Sequence, residues 1–98
     1  MCPLEGRRGV RAAGEVALAT HMIWERALEQ AVRGGEAVYY LELSEVTFVD
    51  VAGAGALAAA AGQLGDGRRF VVHQPPLALR RVLDTFWPDL PAIEVTTS

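Results

Sequence analysis

Residues 37–43 read Ala-Val-Tyr-Tyr-Leu-Glu-Leu, a run rich in β-formers and almost unbroken in apolar character. Neighbouring side chains of a strand point to opposite faces, so a run without alternation carries apolar groups on both. This predicts a strand near the middle of a sheet, covered on both faces. The rest of the chain has to supply that sheet and that cover.

The flanking segments are helical in pattern. Thr20 offers an N-cap hydroxyl for a helix running to about Arg33, in which Ile23, Trp24, Ala27, Leu28, Ala31 and Val32 recur at helical spacing. Glu25, Arg26, Glu29, Gln30 and Arg33 fall on its other side, and Gly34-Gly35 can close it in the left-handed conformation. Trp24 shares a face with Leu28 and Ala31 and is expected in the core. Beyond the central strand, Ser44 to Asp50 reads as a loop carrying Val46, Phe48 and Val49. Ala52 to Leu64 reads as an alanine-rich helix ended by Gly65-Asp66-Gly67. Arg69 to His73 is a further strand, and Pro76 suits the first turn of a helix. In that helix, Leu77 to about Phe86, the residues Leu79, Val82, Leu83 and Phe86 fall at i, i+3, i+4 and i+7 and define a core face. Trp87-Pro88 stops it, leaving Trp87 either as core or as an anchor for a partner. Gly9 to Val16 is a modest first strand interrupted by Gly14, and Ile93 to Val95 a short last one.

Strands alternating with helices predict an α/β sandwich: a central mixed, mostly parallel sheet of four to five strands with three to four helices. The 98 residues suit one domain, since single domains usually run to about 100–150 residues. Met1 to Arg8 contains Pro3 and few strand formers, so residues 1–8 are expected to be short or poorly ordered. The sheet edge beside them would then be open to pairing with a second copy of the chain.

Composition removes several classes of function. With 51% hydrophobic and 21% charged residues the chain is a globule rather than a disordered segment. A net charge of −3, with arginines in separated pairs, argues against nucleic acid. Cys2 is the only cysteine, so no internal disulfide can form. The smoothest apolar stretch, Val51 to Gly62, is shorter than the about 20 residues a bilayer needs, and no signal-peptide pattern precedes it. The expectation is a cytoplasmic protein with no membrane contact. His21 and His73 lack partners at metal-ligand spacing and are read as polar surface, so neither metal nor cofactor is expected. There is no G-x-S-x-G elbow to activate a nucleophile, and no enzyme is expected. Gly53 to Ala58 matches G-x-G-x-x-A, but the acidic residue expected about 20 positions on is missing. The glycines read better as a close approach between the helix start and a neighbouring loop.

What remains is a contact surface. Asp50, followed by small residues and then a helix, places backbone N–H groups and the positive end of a helix dipole at a surface loop.

The stretch from Tyr39 to Leu57, with its Leu-Glu-Leu-Ser, Val-Thr-Phe-Val-Asp and small-residue helix, resembles the signature of STAS domains, the domain of bacterial anti-sigma factor antagonists. Gly14-Glu15, Gly67-Arg68-Arg69 and Leu79-Arg80-Arg81-Val82-Leu83 agree in order, so the resemblance spans roughly residues 10–95. It implies a STAS-like sandwich and a non-catalytic module that binds a kinase-type anti-sigma factor or a related regulatory protein. In that family the first serine after the aspartate accepts phosphate from the partner kinase. Here Val51 stands at the phosphoacceptor position and Ala52 follows, so the usual switch is absent. Ala17 is a second departure, where many members carry an acidic residue. The partner surface carried over by the resemblance is Asp50, Val51, Ala52, Gly53, Ala54 and Gly55. Two other readings stand beside it: a small-ligand or nucleotide sensor using the helix start at residues 52–55, and a structural subunit of a STAS-containing assembly.

Overall fold

The computed structural model describes residues 2–4, 6, 8–16, 20–35, 37–65, 67–88, 90 and 92–96. The elements are β1 (Cys2–Pro3), β2 (Gly9–Val16), α1 (His21–Arg33), β3 (Val38–Val49), α2 (Val51–Gly62), β4 (Arg69–His73), α3 (Leu77–Phe86) and β5 (Ile93–Thr96). They build one sheet in the order β1-β2-β3-β4-β5. β1 is antiparallel to β2, and every later pair is parallel. This is the mostly parallel α/β sheet expected, with five strands and three α-helices among the described residues.

Each helical crossover steps to the next strand in the same direction. Crossovers of the usual right hand then place every helix on one face of the sheet, and α2 packs between α1 and α3. Expected cover on both faces of β3 is therefore met on one only: Leu41 and Leu43 are buried, whereas Tyr40 and Glu42 are half-buried.

β3 also runs through the segment read as a loop. Between Glu42 and Glu45, and again between Val46 and Phe48, it holds one residue more than the β2 segment it pairs with. Each bulge resets the in-out alternation. Leu43, Val46 and Val49 consequently all point into the core, at a spacing a period-2 search does not find. The Thr47 hydroxyl donates to the Gly14 carbonyl at 3.3 Å across one bulge. At the other, the Ser44 N–H donates to the Glu42 carboxylate at 3.1 Å. Both groups are turn-like polar residues satisfied inside a strand.

In the lead-in, Cys2 and Pro3 pair with Arg11 and Val10. Gly9 permits the close approach of β2 to β3: a Cβ there would collide with the Tyr40 carbonyl oxygen and lie 2.8 Å from the Tyr40 Cβ.

The core is built on Trp24, Phe70, Leu41, Leu43, Leu57, Leu79, Val49 and Val72. In α1 the buried residues are Trp24, Leu28 and Ala31, so Ile23, one position off that stripe, is 56% exposed against expectation. In α3 Leu79 and Leu83 are buried, but Phe86 is 60% exposed. It is the last helical residue, past the end of the packed face, and its ring leans on Trp87 at 5.8 Å. Thr20 does not cap α1 through its side chain; its hydroxyl donates instead to the Glu15 carbonyl at 2.8 Å. At the other end of α1, Arg68 donates to the carbonyls of Ala31 and Val32 at 3.2 and 2.9 Å. That supplies a cation where the helix dipole is negative. Among the described residues no helix is long and apolar enough to cross a membrane.

Two outcomes follow from this packing. Gly9→Ala is expected to lower stability by about 1–3 kcal/mol, the usual cost of overpacking, read as a lower urea midpoint with an unchanged slope. Tyr39 packs edge-on against Phe70, and burial pushes its hydroxyl pKa up. The folded chain thus keeps the neutral phenol to higher pH than the unfolded chain, whose tyrosines ionise near about 10. This contribution is complete below the unfolded value and is lost as pH rises through the folded one. Urea titrations from neutral to strongly alkaline pH should show a shallower loss of stability for Tyr39→Phe than for the wild type.

Candidate functional site at the start of helix α2

The strand end and the helix start form one continuous hydrogen-bonded unit. The Asp50 N–H donates to the Val16 carbonyl at 3.0 Å, holding the chain against β2 to the last residue before the turn. Asp50 then adopts an extended backbone, and its carboxylate accepts from the Gly53 N–H at 2.6 Å. The Ala54 N–H donates to the Asp50 carbonyl at 3.0 Å, the first intrahelical bond. This is a side-chain N-cap, and it occupies one of the N–H groups that a helix start leaves without an intrahelical partner.

Gly53 is the pivot of the unit. The Trp24 indole N–H reaches from α1 and donates to the Gly53 carbonyl at 2.9 Å in the buried interior. A Cβ on Gly53 would lie 3.0 Å from a methyl of Val16, 3.0 Å from a methyl of Val49 and 3.1 Å from the Asp50 carboxylate. The helix start is thus wedged between the ends of β2 and β3. At Gly55 a Cβ would make only ordinary contact, 3.7 Å from the Trp87 ring. Close approach accounts for the first glycine of the G-x-G pattern and not for the second.

These constraints sort the six candidate residues. Gly53 and Ala54 are buried and hold the helix in place, Asp50 and Gly55 are partly exposed, and Val51 and Ala52 point outward. Val51 is 56% exposed. Sequence reasoning did not assign Phe48 to this region, although it is 43% exposed just before the turn. Its outward aim depends on the second bulge, which only the strand pairing reveals. Trp87 is half-buried and lies beside Gly55. Ala17 lies outside the described residues.

Chemically the site is apolar apart from Asp50. Neither Val51 nor Ala52 carries a side-chain oxygen. The capping carboxylate sits where an anionic ligand would approach the helix end, and like charges there oppose each other. The histidines are not simple polar surface. His21 is half-buried, with Nδ1 3.0 Å from the Glu25 carboxylate and Nε2 buried with no hydrogen-bond partner among the described residues. His73 lies on the sheet, half-buried, its Nδ1 2.8 Å from the Thr96 hydroxyl. Among the described residues no three His, Cys, Asp or Glu side chains gather as a metal site.

The comparisons with known proteins agree with this architecture. The family model described as "Mlab, STAS domain" matches residues 5–86, and the chain belongs to the STAS domain family. The crystal structure of an anti-sigma factor antagonist from Mycobacterium paratuberculosis is similar, with 26% identity and a TM-score of 0.76. The match covers 92% of this chain and 76% of that one. No curated protein sequence gives a significant match. The resemblance read from residues 39–57 and the α/β sandwich it implied are both upheld.

The two glycines of the helix start should respond differently to a methyl group. Gly53→Ala is expected to destabilise by about 1–3 kcal/mol because two β-branched side chains must give way. Gly55→Ala, where the added methyl makes only ordinary contact with Trp87, is expected to be neutral or stabilising by up to about 1 kcal/mol. Paired urea or thermal unfolding measurements check the contrast.

Proposed function

We propose that this STAS domain is a non-catalytic regulatory module that docks a kinase-type anti-sigma factor, or a related signalling protein, through the start of α2 without being phosphorylated there. Family membership and the similarity to an anti-sigma factor antagonist support a regulatory role. The observation that carries the finer reading is the placement of Val51. It is the first residue of α2, follows the Asp50 cap and is 56% exposed, at the position where the family resemblance places the phosphoacceptor.

The physics of the family switch clarifies what its loss does. A phosphate of about −2 charge on a helix N-terminus is favoured by the helix dipole and alters the docking face at once. Valine in that place leaves the backbone and cap unchanged while presenting an apolar surface that ATP and a kinase cannot modify. The module is then permanently competent to bind, and its activity follows its abundance or that of its partner. Reading the helix start as a site for an anionic ligand is less well supported, because Asp50 already places a negative charge on the Gly53 N–H.

The test uses the partner kinase with ATP. Wild-type protein is expected to remain in complex and to gain no phosphate by mass spectrometry. Val51→Ser should gain one phosphate and release the partner. Val51→Arg should weaken binding by roughly 10-fold or more, as expected for an interface anchor, with the unfolding curve unchanged. Phosphate appearing on wild-type Ser44 or Thr47, or undiminished binding by Val51→Arg, would sink the reading.

A further inference from the structure

The sheet face opposite the helices carries a groove of about 450 Å³. The strand register lays out its lining. Glu42, His73 and Thr96 form one rung across β3, β4 and β5, and Tyr40, Val71 and Glu94 form the next. Arg69 stands two residues further along β4. Val71 is only 6% exposed although no helix lies on its side, so it floors the groove between the two polar ends. At about 3.3 Å per residue, the His73 rung and Arg69 are roughly 13 Å apart along the strand.

The charges at the two ends are placed but not closed on each other. Glu42 lies 3.7 Å from His73 Nε2, and Arg69 Nε lies 3.9 Å from Glu94. Closed charge-assisted hydrogen bonds run about 2.7–2.9 Å, so Glu42 Oε2 and the Arg69 guanidinium can each meet a ligand without breaking a short bond. Glu42 is held by the Ser44 N–H at 3.1 Å and its side chain is 21% exposed, which makes it a half-buried, pre-oriented carboxylate. The Arg69 guanidinium has five N–H donors in a planar fork, and its approach to Glu94 is through Nε. A simple anion would meet Glu42 and Glu94, and a simple cation would meet Arg69.

We propose that this groove binds a small elongated zwitterion, with its ammonium group on Glu42, its carboxylate on Arg69 and its apolar stem across Val71. The groove and the α2 start lie on different sides of the sheet, so the proposal is independent of the docking reading.

The test titrates the full chain with ε-aminocaproate, which has these two charges on an unbranched stem, and follows two-dimensional amide NMR. Saturable shifts confined to β3, β4 and β5 are expected. Hexanoate and hexylamine, each lacking one charge, should bind at least ~10-fold more weakly, since each loses one charge-assisted contact. Glu42→Gln and Arg69→Gln should each weaken binding by a similar factor with dispersed, native-like spectra, and Val51→Arg should leave it unchanged. Absence of saturable shifts at millimolar ligand overturns the proposal. So does binding of hexanoate or hexylamine as tight as that of ε-aminocaproate, a comparison that needs no variant to fold, or shifts centred on the α2 start.

Discussion

The hydrogen bond from the Trp24 indole to the Gly53 carbonyl ties together the parts of this molecule that matter most for its surface. It joins two helices through a buried polar pair, and a buried donor or acceptor without its partner costs about 1–3 kcal/mol. The lack of a side chain at residue 53 lets the helix start settle closely against Val16 and Val49, which brings its carbonyl to the indole. Those two valines end β2 and β3, so one contact fixes the relative position of four elements. The Asp50 cap then follows almost automatically, since the chain leaving Val49 has its N–H bonded to Val16 and its carboxylate facing the Gly53 N–H.

This arrangement explains how a site can be rigid and chemically plain at once. Val51 and Ala52 carry no reactive side-chain group, yet they lie between Asp50 and Gly53, whose backbone N–H groups are both hydrogen-bonded. Rigid presentation lowers the entropic cost of association, because little ordering remains to be done when a partner arrives.

Much of this was legible in the sequence, and the misses share a cause. The β2 span, the helices α1 and α3 and the strand β4 follow from local patterns, because hydrophobic spacing and capping glycines are decided within one element. The helix start after Asp50 was read as free N–H groups, whereas the Asp50 carboxylate takes up the Gly53 N–H. The extension of β3 through Ser44 and Thr47 was not legible, because bulges are created by pairing with β2 and leave a three-residue spacing that mimics a loop. Ile23 and Phe86 were misplaced because helical spacing defines a stripe but not how far the neighbouring elements reach along it. The surroundings of His73 depend on Glu42 and Thr96, which are far from it in sequence and meet it only across the sheet.

The paired bulges of β3 also govern the phase of everything downstream. Two extra residues bring Val49 back to the inward face and so deliver Asp50 to the turn with its side chain toward the helix. Losing either one would swap inside for outside over the last part of the strand, and the carboxylate would leave the helix end with no change to its own neighbours in sequence. The geometry of the α2 start is therefore encoded partly by residue count, in a stretch where Ser44, Glu45, Thr47 and Phe48 are exposed.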